Sequence, residues 1–86
     1  MHYMYVLQSL MNKDKIYIGN TDNLERRLNE HNSGKNSSTK NDKPYRIVYY
    51  ESYLCKEDAL IREQKLKHHG SVIGHLKRRI GGSLNK

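Results

Sequence analysis

Two stretches rich in aromatic and β-branched residues, 3–9 and 15–19, are separated only by a turn built on Met11, Asn12, Lys13 and Asp14. A link this short joins two strands antiparallel, because a parallel pair needs a crossover of about a dozen residues or more. The N-terminal end of the chain is therefore committed to a β-hairpin. The first stretch is apolar on both faces, which predicts a central strand. Alternation along the second sends Ile16 and Ile18 to one face of the sheet and Tyr17 to the other.

A helix over 22–32 follows, with Thr21 or Asp22 as its N-cap, Asp22 and Glu25 spaced as a capping box, and Gly34 as terminator. Residues 35–43 are polar and aperiodic and predict an exposed loop. The tyrosine-rich run 45–53, entered after Pro44, carries the strongest strand signal. A helix over 57–68 closes near Gly70. Ser71 is placed to cap a last helix reaching Ile80, with Ile73, Leu76 and Ile80 inward and Lys77, Arg78 and Arg79 outward. The order β-β-α-β-α-α predicts an α+β fold, a three-stranded mostly antiparallel sheet flanked by helices. It occupies one domain, 1–80, with 81–86 as a flexible C-terminal tail.

At 86 residues the chain has room for one small core. Sixteen Lys and Arg stand against nine Asp and Glu, a formal charge of +7. That is a solvated basic surface at the least, and it favours a polyanionic partner. The single cysteine, Cys55, excludes an internal disulfide and CxxC-type zinc chemistry, and fits a reducing, cytoplasmic setting. No run of residues has the pattern of a signal peptide or the length of a membrane span, so no membrane partner is expected.

The helical stripes carry groups that do not belong on them. Leu24, Arg27, Leu28 and His31 fall at i, i+3, i+4 and i+7, and so share one face. Ala59, Leu60, Glu63 and Leu66 share a face of the later helix. Burying an arginine, a histidine and a carboxylate without partners is costly. Their convergence on a common site, one handling a phosphate and a metal, is the simplest explanation. Each also has a plainer one: Arg27 at a helix edge, His31 as a satisfied buried imidazole, and Glu63 paired with Lys67 at i+4.

Read in order, Tyr3-Met4-Tyr5-Val6-Leu7, Tyr17-Ile18-Gly19, the run from Asn23 to Asn32 containing Arg27 and His31, Ser38-Thr39-Lys40, Pro44, Val48-Tyr49-Tyr50-Glu51 and the run from Glu57 to Glu63 resemble the GIY-YIG nuclease superfamily. The resemblance is greatest to small stand-alone bacterial members, and extends to the N-terminal catalytic domain of the bacterial excision-repair nuclease subunit. It covers residues from Tyr3 to about Ile80. Tyr3-Met4-Tyr5 stands where the family name has Gly-Ile-Tyr, retaining the chemically important last tyrosine. A family asparagine beyond the glutamate's helix has no match.

The resemblance implies a metal-dependent endonuclease that hydrolyses phosphodiester bonds in DNA, with RNA as the alternative substrate and repair or recombination as the setting. Arg27 would pair with a non-bridging phosphate oxygen and Glu63 would hold Mg²⁺ or Mn²⁺. Of Tyr5 and Tyr17, one would serve as general base and the other would position water or phosphate, with His31 assisting. Gly19 is structural, admitting a close backbone approach. Arg26, Lys35, Thr39 and Lys40 are candidates for contact with the nucleic acid. Two other classes remain open: a nucleic-acid-binding module with this fold and little turnover alone, and a protein-interaction domain using the tyrosine-rich third strand.

Overall fold

A computed structural model describes residues 1–86. Strand β1 (His2–Ser9) pairs antiparallel with β2 (Ile16–Thr21) on one side and with β3 (Tyr45–Tyr53) on the other, giving the order β2-β1-β3. The doubly apolar first strand is therefore central, as its sequence predicts. Helix α1 (Leu24–Asn32) connects β2 to the loop before β3, and α2 (Lys56–His68), α3 (Gly70–Arg79) and a short α4 (Gly81–Leu84) complete the chain.

Each face of β1 has its own cluster. Met4 and Val6, with Ile18 of β2, pack against Leu66, Leu76 and Ile80 from the α2–α3 layer. Tyr5 and Leu7, with Tyr45, pack against Tyr17, Leu24, Leu28 and Ile47 on the α1 side. Strand alternation thus separates Ile18 from Tyr17 and builds a helix/sheet/helix sandwich from 86 residues. A bulge between Val6 and Leu7 leaves Val48 without a partner and switches the faces of β3, so that Tyr45 and Ile47 meet the smaller cluster while Tyr49 and Tyr53 meet the larger one.

The structure moves several predicted boundaries. β2 continues through Asn20 and Thr21, which pair with Met4 and Tyr3. The N-cap of α1 is Asn23 rather than Thr21 or Asp22: its Oδ1 accepts from the Arg26 amide at 3.0 Å. Thr21 Oγ1 instead folds the chain into the helix by accepting from the Asn23 amide at 3.1 Å. Asp22, freed from capping, pairs with the Arg26 guanidinium. Gly34, at φ 82°, ends the helix in the left-handed conformation that suits glycine. α3 begins at Gly70 without a side-chain cap, so Ser71 lies inside it.

Residues 81–86, expected as a frayed tail, include the α4 turn, and Leu84 packs against the larger cluster. Its anchors lie far away in sequence. The buried Gln8 amide donates to the Leu84 carbonyl at 2.8 Å, and Arg46 donates to Gln8 Oε1 at 2.7 Å and to the Ser83 carbonyl at 3.0 Å.

Candidate active site

The site forms where side chains of α1 meet Tyr5 of β1 and Tyr17 of β2. Tyr5 leans from the central strand across Gly19, its ladder partner on β2. A Cβ on Gly19 would lie 2.5 Å from Tyr5 Oη and 2.7 Å from Cζ, so a hydrogen here is what lets the ring lie flat over the strand. Where the sequence suggests a close backbone approach at Gly19, the neighbour that needs the room is a side chain, the ring of Tyr5.

Arg27 and His31, one helical turn apart on α1, both reach Tyr5. Arg27 Nε donates to Tyr5 Oη at 3.2 Å, and His31 Nε2 lies 2.9 Å from the same oxygen. Arg27 Nη1 donates to Glu30 at 3.0 Å, whereas Nη2 has no protein partner. The guanidinium is thereby held by two anchors with one corner free. The far nitrogen of His31, Nδ1, lies 2.8 Å from Thr39 Oγ1, and both residues are fully buried.

Tyr17 lies beside this group, its ring centroid 4.8 Å from that of His31 and 6.4 Å from that of Tyr5. Its hydroxyl makes no protein hydrogen bond and is not sealed from solvent, whereas Tyr5 is 2% exposed and fully engaged. The two tyrosines are therefore not equivalent. One is an internal connector and the other is open to water.

Burial pushes the Tyr5 hydroxyl up to about 12, with the adjacent Arg27 acting in the opposite direction. Burial also pushes His31 down to about 4, and the Arg27 charge adds to that effect. For Arg27, burial opposes the charge, but the hydrogen bonds to Tyr5 and Glu30 outweigh it and hold the group above its ordinary value. Glu30 is lowered by its hydrogen bond to Arg27. At neutral pH the site thus holds a neutral phenol, a neutral imidazole and a permanent cation.

Glu63 reaches the site from the opposite helix layer, around the edge formed by β2. It is 6% exposed and contacts none of Tyr5, Arg27 or His31 directly. One carboxylate oxygen accepts from Asn20 Nδ2, and the other lies 2.7 Å from Lys67 Nζ. Lys67 in turn sits 5.3 Å from the Tyr17 ring centroid, linking the two halves of the site. No three His, Cys, Asp or Glu side chains converge, so a closed metal cage is not formed. A lone carboxylate fits a magnesium-type ion, which keeps much of its water and draws further ligands from a phosphate. It does not fit structural zinc.

The expected nucleic-acid contacts divide. Arg26, Lys35 and Lys40 are exposed, and Arg26 is paired with Asp22 and, at 3.9 Å, with Glu30. Thr39, expected to reach a phosphate from an exposed loop, is instead buried against His31. The loop folds inward at that residue because turns at Asn36 and Asp42 direct Thr39 toward α1. Asn20 escaped sequence reasoning, since only its position beside Gly19 marked it. A hollow of about 440 Å³ next to Arg27 is lined by the cations Arg26 and Lys56 and by the carboxylates Asp22 and Glu30, with His2, Asn20 and Thr21 completing it.

A nuclease-type catalytic fold is what this arrangement matches. The chain belongs to the GIY-YIG family, whose catalytic-domain model matches residues 1–72. It is similar to a UPF0213 protein of Lactiplantibacillus plantarum, 39% identical over 70 residues, covering 78% of this chain and 67% of that protein. A UPF0213 protein of Staphylococcus haemolyticus is 37% identical over 67 residues, 77% of this chain and 79% of the relative. One from Haloquadratum walsbyi is 33% identical over 67 residues, 77% and 73% of the two chains. No helix is long and apolar enough to cross a membrane.

Proposed function

We propose that this chain is a metal-dependent endonuclease that hydrolyses phosphodiester bonds in DNA. The observation that carries the reading is Arg27, anchored through Nε on Tyr5 and Nη1 on Glu30 with Nη2 free, in a site whose second tyrosine, Tyr17, has its ring centroid 6.4 Å from that of Tyr5 and a hydroxyl not sealed from solvent. A non-bridging phosphate oxygen on Nη2 would meet a charge already oriented, so stabilising the transition state needs little reorganisation. Tyr17 orients the attacking water. Tyr5 holds Arg27 on one side and His31 on the other. A phosphate paired with Arg27 offsets the charge that depresses His31, and so makes the imidazole a better proton acceptor.

Glu63 is the residue to hold Mg²⁺ or Mn²⁺, which when bound supplies Lewis-acid stabilisation of the phosphate and the leaving 3′ oxygen. Lys67, on a flexible and partly exposed stem, yields its place on the carboxylate to the ion.

Purified protein incubated with branched, flapped and single-stranded DNA and either ion tests the reading. Arg27→Lys, which loses the planar fork, should slow cleavage by roughly 100-fold or more. No cleavage of any substrate, or cleavage indifferent to Arg27→Ala and Glu63→Ala, overturns it. The occupation of both Glu63 oxygens by Asn20 and Lys67 favours one rival, a nucleic-acid-binding module with little turnover. Binding that weakens steeply with salt, yet ignores divalent ions and Glu63, identifies that case.

A further inference from the structure

We propose that Thr39 is a positioning residue that fixes the proton of His31 on Nδ1, and thereby turns the Tyr5 hydroxyl so that it donates to His31 and accepts from Arg27. The catalytic consequence rests on the nuclease reading above; the placement of the proton does not.

One arrangement of donors and acceptors keeps every bond in this chain. The Asn36 carbonyl can only accept, and Thr39 Oγ1 lies 3.4 Å from it as a donor. With its one proton directed there, the Thr39 oxygen presents lone pairs to His31 Nδ1 at 2.8 Å. A neutral imidazole carries one ring proton; placed on Nδ1, it satisfies Thr39 and leaves Nε2 as an acceptor. Tyr5, 2.9 Å from Nε2, then donates to it and keeps lone pairs for Arg27 Nε–H, which can only donate.

The other tautomer costs Thr39 its bond to Asn36, whose carbonyl keeps the Thr39 amide at 3.2 Å, and fails at the Tyr5 end. Tyr5 Oη would receive protons from both His31 and Arg27, and its own O–H, on a side chain 2% exposed, would be left without an acceptor.

The segment that delivers Thr39 is itself tied to the sheet. The Asp42 amide donates to the Thr39 carbonyl at 3.3 Å, and Ser9 Oγ at the end of β1 donates to the Asp42 carbonyl at 2.6 Å. The polar loop therefore acts on the site from behind. Its buried threonine sets the imidazole, the imidazole sets the phenol, and the phenol holds the guanidinium.

Nitrogen-15 NMR of ring-labelled histidine in the whole protein at neutral pH, without DNA, reads the tautomer; His31→Gln assigns the resonance. The expected result is His31 protonated on Nδ1 in the wild type and in Thr39→Ser, and a mixed or Nε2-protonated ring in Thr39→Val. Cleavage should fall roughly 10–100-fold in Thr39→Val, as when the partner orienting a histidine is removed, and return nearly to the wild-type rate in Thr39→Ser. A wild-type His31 protonated on Nε2 overturns the proposal, as does a tautomer unchanged by Thr39→Val. If Thr39→Val does not fold, the wild-type and Thr39→Ser spectra decide, and loss of Nδ1 protonation in Thr39→Ser overturns it. A protein that shows the expected tautomers and cleaves nothing refutes the nuclease reading and leaves the proton placement standing.

Discussion

Acidification should unfold this protein through His31 before its carboxylates protonate. The imidazole is fully buried, and its pKa is lowered from 6.5 to about 4 by burial and by the neighbouring Arg27 charge. The unfolded chain takes up a proton at this residue near its ordinary value, whereas the folded protein resists until about pH 4. Between those limits the unfolded state binds more protons, so stability falls as pH falls. From these two pKa values the loss is about 2 kcal/mol between pH 7 and pH 5, reaching about 3 kcal/mol by pH 4. Glu30 and Glu51 have lowered pKa values, so their contributions are lost only at lower pH. Urea unfolding at intervals from pH 7 to pH 4.5, with wild type and His31→Gln in parallel, isolates the effect. The wild-type free energy should decline with the stated slope and that of the variant should not. Parallel curves would refute the picture of a buried neutral imidazole. Should the variant be too unstable, direct NMR titration of the wild-type ring tests the same point, since a midpoint near 6.5 is incompatible with it.

Gly19→Ala places a methyl 2.5 Å from Tyr5 Oη, so Tyr5 must leave His31 and Arg27; a stability loss of about 1–3 kcal/mol in denaturant melts should accompany a cleavage rate no better than that of Tyr5→Phe. Asn23→Ala removes the α1 cap and should cost about 1 kcal/mol in the same melts while leaving the tautomer of His31 unchanged. Lys67→Met removes the cation 2.7 Å from Glu63 and should tighten Mn²⁺ binding, measured by calorimetry without DNA, by roughly 5–10-fold; unchanged or weaker binding would show that the ion does not compete for that carboxylate.

Local pattern carried much of the architecture. β-Propensity and alternation placed three strands, and the short link after Ser9 forced the first two into a hairpin. The limits predicted for the third strand, 45–53, match β3 (Tyr45–Tyr53). Helical spacing singled out Arg27, His31 and Glu63 as ionisable groups on apolar stripes, and the family resemblance added substrate and roles. Boundaries were less legible. Thr21, Asp22 and Asn23 are all capable caps, and the choice among them depends on how far β2 follows β1 into its ladder.

By itself, then, the sequence determined which residues of the first hairpin and of the helices face inward, because there a residue's face depends on its own element's period. Only the tertiary structure decided what they meet. Thr39 reaches His31 across a loop without periodicity, and Gly19 matters through the ring of Tyr5 lying over it. Asn20 and Lys67 close on Glu63 from different elements, and α4 is fixed by Gln8 and Arg46. Apart from the i,i+4 pairing of Lys67 and the eight-residue reach from His31 to Thr39, each is a contact between residues far apart along the chain. Their geometry exists only once the sheet and both helix layers have packed, and it is there that a buried polar group finds the partner its desolvation demands.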